Sequence, residues 1–222
     1  MRIAIAFAWL SLAAGKARAA DPCAKRCVAG DLACNAAVAL CDMQISAYYA
    51  YMDQLDTGQP KVPLPAIYQE ILRPYYPHAD LAKIRIAFSD QQPPDNATTD
   101  CDVLYFNDAA YVTALRDAAP NRKWTWLLHE LEHPEQCAAA GGREGYAKRW
   151  WSELETAVRA SGASIDVFQS TEELAKQLQA LYARVHGSMP MERAADAKAE
   201  EALAQLRACC IAADGAPARP AP

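Results

Sequence analysis

Residues 124–133 read Trp124-Thr125-Trp126-Leu127-Leu128-His129-Glu130-Leu131-Glu132-His133. The apolar entry followed by a polar turn predicts a helix running from Asn121 to about Ala140. On a helix, side chains four apart share one face, so the imidazoles of His129 and His133 can reach a common ion about 2.0–2.1 Å from each nitrogen. Glu130, beside the first imidazole, stands where a carboxylate can work on water without binding the metal, the division of labour of zinc-dependent hydrolysis. An HExxH spacing arises by chance in roughly one chain of this length in a few hundred, so the motif draws weight from its context. That context is the buried-type run Trp126-Leu127-Leu128 and the strand-like Val103-Leu104-Tyr105-Phe106 before it.

Around this helix the pattern predicts an α+β domain, predominantly helical, with a short β-hairpin beside the HExxH active-site helix. Lys83-Ile84-Arg85-Ile86-Ala87-Phe88 alternates as a half-buried strand does, Asp90 to Asp100 is a polar loop with Pro93-Pro94, and Asp102 to Phe106 is a second strand. Ala66 to Leu72 is a short helix stopped by Pro74 and Pro77. Further helices are expected over Asp108–Ala118, Arg143–Ser161, Ser170–Val185 and Pro190–Cys209, with breaks at Gly141-Gly142, Gly162 and Gly187 and a capping box of Ser170 with Glu173. Asn96-Ala97-Thr98 matches a glycosylation sequon and is assigned no role.

The amino terminus has the order of an export signal: Arg2, the apolar run Ile3 to Ala14, and Ala17-Arg18-Ala19 as a small-x-small cleavage site. Residues 1–19 are therefore expected to be removed and the protein to be secreted or periplasmic, with no integral membrane segment. Loss of Arg2, Lys16 and Arg18 moves the formal net charge of -5 further negative, which excludes nucleic acid as a natural partner. The 8 cysteines suit an oxidising compartment and read as a disulfide set rather than a Cys23/Cys27/Cys34/Cys41 zinc site. Residues 20–58 form a Cys-rich helical segment in two pieces broken at Gly30-Asp31, with Asp31 available as a cap. Residues 62–210 form the zincin-like domain, and 211–222 a disordered, proline-rich tail. A Cys101–Cys137 bridge would pin the strand to the metal helix, leaving Cys209 and Cys210 to tie the last helix to the N-terminal segment.

Lys83 to Phe88, Val103-Leu104-Tyr105-Phe106, Leu127 to His133, Gln136 and Gly142 to Trp151 together resemble the metallopeptidase domain associated with extracellular contractile injection systems. Its members show a short strand ending in Tyr-Phe, a Leu-Leu-x-HELxH helix with Gln three residues on, and a glycine turn into an aromatic-rich helix. The resemblance covers about residues 62–200. One departure is Pro134, where the family has an aliphatic residue, so the helix is expected to kink or end there.

Two carboxylates compete as third metal ligand. Glu153 has the spacing of thermolysin-like enzymes, whereas Glu192, in Pro190-Met191-Glu192-Arg193-Ala194-Ala195, resembles the Pro-x-Glu-x-x-Ala segment with which the injection-system family continues. Glu192 is favoured, with Asp196 one turn on as an orienting partner. His78, His186, Tyr146 and Tyr182 read as surface, cap or core residues. The resemblance thus implies an exported zinc metallopeptidase acting on protein or peptide: His129, His133 and Glu192 hold Zn2+, and Glu130 takes the proton from a zinc-activated water. The alternative is a non-catalytic secreted helical scaffold with a structural or vestigial metal site.

Overall fold

The computed structural model describes residues 31–56, 58–92, 96–119, 123–162, 180, 184–211 and 216. The expected export signal, Cys23, Cys27, Tyr182, the capping box and most of the helix expected over Ser170–Val185 lie outside the described residues. The elements are α1 (Leu32–Leu55), β1 (Val62–Pro63), α2 (Ala66–Leu72), β2 (Arg85–Phe88), β3 (Ala97–Asp100), β4 (Val103–Phe106), α3 (Ala109–Arg116), α4 (Trp124–Ala139), α5 (Arg143–Ala160) and α6 (Pro190–Cys209). The fold is α+β and mainly helical. Among the described residues no helix is long and apolar enough to cross a membrane.

The chain divides into two compact units, residues 1–49 with 148–189 and residues 50–147 with 190–222. In the first, Asp31 caps α1 by accepting from the Cys34 amide at 2.9 Å, as the sequence suggests. Tyr48, Trp150 and Trp151 form an aromatic group there, with ring centroids 6.0 Å (Tyr48 to Trp150) and 5.2 Å (Trp150 to Trp151) apart.

The second unit holds a sheet of order β1-β2-β4-β3. β2 and β4 run parallel at its centre, Ile86 beside Leu104, and β3 pairs antiparallel with β4, Thr99 beside Leu104. The hairpin is therefore β3 with β4, and residues 97–100, expected as loop, are its outer strand. Four residues of Ala-Thr-Thr-Asp are too short and too polar to show a period. They become a strand because β4 offers them a hydrogen-bonding edge. The central strands are also more enclosed than simple alternation implies, since Ala87 and Tyr105 are buried along with Ile86 and Leu104.

Ile84, Ile86, Leu104 and Phe106 from the sheet meet Leu127, Leu128 and Leu131 of α4 and Ala199, Ala202 and Leu206 of α6 in one core. Each fully buried leucine there contributes roughly 1.5–3 kcal/mol relative to exposure. Tyr76, also fully buried, donates its hydroxyl to the Leu128 carbonyl at 2.7 Å. The carboxylate of Glu135 takes the amides of His78 and Ala79, at 2.9 and 2.7 Å to Oε2, and so fastens the loop after α2 to the outer side of α4.

Helix α4 runs through Pro134 to Ala139 instead of stopping at it. Two features hold the continuation in place. The Cys101–Cys137 disulfide, with Cα atoms 5.5 Å apart, ties it to the β3–β4 turn, and Gly141 (φ 81°) and Gly142 (φ 104°) then turn the chain through left-handed backbone into α5. Arg143, the first residue of α5, grips Asp100 at the end of β3 with Nε to Oδ1 and Nη2 to Oδ2 contacts of 2.7 Å each, a bidentate pair that fixes orientation.

The second bridge differs from expectation. Cys209 and Cys210 bond each other, with Cα atoms 3.7 Å apart, and do not tie α6 to the N-terminal segment. Their place explains it: Cys209 ends α6, and the amides of Cys210 and Ile211 both turn back onto the Leu206 carbonyl, at 2.7 and 3.0 Å, bringing the adjacent side chains together. Ile211, expected in the tail, packs against the core, and most of the residues after it lie outside the described ones.

The Cys101–Cys137 bridge closes a loop of 36 residues. Replacing both cysteines by alanine is expected to cost about 2–4 kcal/mol in urea denaturation, with far-ultraviolet circular dichroism retained. An unchanged urea midpoint would mean that the β3–β4 turn is held to α4 by packing alone.

Candidate metal and catalytic site

The residues of interest lie on α4 and at the start of α6, two helices that pack extensively on each other. Helical spacing puts His129 and His133 on the face that α6 covers, their ring centroids 5.1 Å apart. Glu192 occupies the first turn of α6, where the helix dipole favours an anion, and it is only 3% exposed. Its Oε2 lies 3.2 Å from His129 Nε2 and 3.5 Å from His133 Nε2. A single carboxylate oxygen thus faces both imidazoles, 63 residues on from His129 in sequence.

The other ring nitrogens are both engaged. His129 Nδ1 donates to Asp196 Oδ1 at 2.8 Å, and His133 Nδ1 donates to Gln136 Oε1 at 3.1 Å. Gln136 in turn donates from Nε2 to the Met191 carbonyl at 2.9 Å, so the amide bridges α4 and α6 right beside Glu192. Partners at Nδ1 fix ring orientation and tautomer and leave Nε2 to face inward with its lone pair. Tyr146 stands edge-on to His133, with centroids 6.1 Å apart, and is buried.

Burial alone lowers the proton affinity of both histidines, but Glu192 outweighs it. The His133 pKa is pushed up from 6.5 to about 9 by the nearby Glu192 and Glu130 charges, and that of His129 is raised in the same sense. In the absence of a metal, the buried His133 and Glu192 and the partly buried His129 are satisfied by binding protons.

The carboxylate of Glu130 engages the sheet. Thr99 on β3 donates its hydroxyl to Glu130 Oε2 at 2.7 Å and lies 3.2 Å from the Glu130 carbonyl oxygen. Both residues are buried. The ligand atoms of His129, Glu130 and His133 come within 4.8 Å of one another, and this group could hold a metal ion.

Of the remaining expected candidates, Glu153 and His186 belong to the first unit and His78 to the second. Glu153 is paired with Arg149 one turn back on its own helix at 2.9 Å. His78 is exposed in the loop after α2 with its amide on Glu135, and His186 lies in a short turn before α6. Sequence reading did not find Thr99, because its strand has no visible period. Gln136 carries a signal in the sequence, since its place one turn after His133 puts it on the same face.

Compared with protein-family models, with curated proteins and with solved structures, the chain matches none.

The raised His133 pKa has a definite sign. Stabilisation from its charged pairing with Glu192 is complete below the ordinary imidazole value of 6.5 and is lost as pH rises through about 9. Metal-stripped protein is therefore expected to lose urea stability between these values, and the loss should be much smaller in Glu192→Gln. Identical pH profiles for the two proteins would separate Glu192 from the imidazoles in solution.

Proposed function

We propose that this chain is an exported zinc-dependent hydrolase of the metallopeptidase kind. The observation that carries the reading is the convergence of His129 Nε2, His133 Nε2 and Glu192 Oε2 at 3.2 and 3.5 Å. With both Nδ1 atoms donating elsewhere, three electron-pair donors face one another in a buried place, an arrangement that needs protons or a cation between them. Two donors each bound at 2.0–2.1 Å to a tetrahedral ion stand about 3.3 Å apart, which matches the spacing found here. Two imidazoles with one carboxylate favour zinc over calcium or magnesium, which prefer oxygen alone. Three protein donors also leave a coordination position for substrate or water, as catalytic zinc sites do and closed structural sites do not.

Zinc held by His129, His133 and Glu192 would supply Lewis acidity toward a carbonyl and a water nucleophile at neutral pH. We assign the two glutamates different roles from their partners: Glu192 Oε2 lies beside both imidazoles, whereas Glu130 Oε2 accepts from the Thr99 hydroxyl. With Oε2 taken by the Thr99 hydroxyl, Glu130 keeps Oε1 to accept a proton from water and to return it to the leaving group. Asp196 and Gln136 hold the imidazoles at Nδ1 throughout, so the donor atoms need no reorganisation. Peptide bonds as the substrate rest on the resemblance to the injection-system metallopeptidase domain, and export rests on the signal-like residues 1–19 together with the disulfides.

Protein purified from an oxidising compartment is expected to carry one zinc per chain by elemental analysis. His129→Ala and Glu192→Ala should lose it, whereas Glu153→Ala and Glu130→Gln should retain it. A peptide pool prepared from casein should be cleaved by wild type and not by Glu130→Gln, read by mass spectrometry. Zinc that persists in Glu192→Ala would reject the ligand set, and equal cleavage by Glu130→Gln would reject the mechanism in favour of a scaffold.

A further inference from the structure

The second question at this site is why α4 carries a proline between the histidine pair and its end. Proline has no amide hydrogen, so Pro134 cannot give the Glu130 carbonyl the donor that residue i+4 supplies elsewhere in a helix. A buried carbonyl left without a donor is costly. A hydroxyl from another element stands at that carbonyl: Thr99 Oγ1, at 3.2 Å from the Glu130 oxygen. The same hydroxyl lies 2.7 Å from Glu130 Oε2. Thr99 is 3% exposed and Glu130 4% exposed, so water does not compete for either contact.

We propose that Thr99 is the positioning residue for Glu130, anchored to the backbone carbonyl that Pro134 leaves open and holding the Glu130 carboxylate from there. The hydroxyl has one hydrogen and two acceptors on the same residue. Whichever it favours, its oxygen stays in the crook between the main chain and side chain of Glu130, and the carboxylate is confined to one rotamer. In an uninterrupted helix the amide of residue 134 would satisfy that carbonyl, and the hydroxyl would not be needed there. The strand that brings Thr99 here is itself fastened to α4 by the Cys101–Cys137 bridge one turn beyond Pro134, and to α5 by the Asp100–Arg143 pair. Proline, threonine and disulfide form one device whose output is the direction of a single carboxylate. Glu132 does not share it: it sits half-buried on α4, its pKa raised by burial and then by Glu135.

The part of this proposal that concerns turnover rests on the hydrolase reading, and the part that concerns packing does not. Both are tested on the full-length, zinc-loaded protein. On the most rapidly cleaved peptide of the casein pool, Thr99→Val is expected to lower kcat about 10- to 100-fold, the usual cost of losing an outer partner at such a site, with KM and zinc content kept. Thr99→Ser, which restores the hydroxyl, should regain most of that loss. In thermal unfolding, Thr99→Val should lower Tm, and adding Pro134→Ala should recover most of the deficit, because the new amide satisfies the Glu130 carbonyl. Turnover should not be recovered by that second change. A Thr99→Val protein with wild-type kcat, or Tm effects of Thr99→Val and Pro134→Ala that simply add, would overturn the proposal. Should wild type cleave nothing, the hydrolase reading fails, and the thermal cycle still decides whether Thr99 and Pro134 act as a pair.

Discussion

Two imidazoles, one buried and one partly so, packed with a buried carboxylate between α4 and α6 are the constraint on which the rest of the second unit depends. Ionisable groups withdrawn from water are costly unless each is matched, and here nearly every surrounding element supplies a match. Asp196 and Gln136 take the outward nitrogens of His129 and His133, and the N-terminus of α6 favours the Glu192 anion. The apolar faces of the same two helices, Leu127, Leu128 and Leu131 against Ala199, Ala202 and Leu206, provide the free energy that keeps these groups together. The small alanines on α6 let the helices approach closely enough for one carboxylate oxygen to face both rings.

The sheet contributes to the same site from the other side. Its outer strand β3 exists only through pairing with β4, and it is held by a disulfide, an arginine fork and a threonine that touches Glu130. The site is thus assembled from regular elements and not from loops. Side chains on packed helices and strands lose little further entropy when they engage a ligand, which suits groups that must be preorganised.

Pro134 illustrates how local and tertiary rules divide. As a local rule, proline ends helices. Within this fold the cost is offset by a hydroxyl at the freed carbonyl and by a bridge at Cys137, and the helix continues for another turn. Cys209 and Cys210 show the reverse case. Distance along the chain left several partners open to them, and the tight turn at the end of α6 settled the matter by placing the two thiols side by side.

By itself the sequence determined the mainly helical α+β character, the helix that carries His129, Glu130 and His133, the glycine turn that ends it and the cap at Asp31. These are written in periods, caps and spacings that act over one or two turns, where geometry follows from the backbone alone. The preference for Glu192 over Glu153 came from a resemblance and not from spacing. Only the tertiary structure set the distances from Glu192 Oε2 to both imidazoles, found Thr99 on a strand with no pattern of its own, and carried α4 past Pro134. Each of these depends on contacts between residues far apart in the chain, and no local period encodes which distant side chain will fill the space beside a given helix.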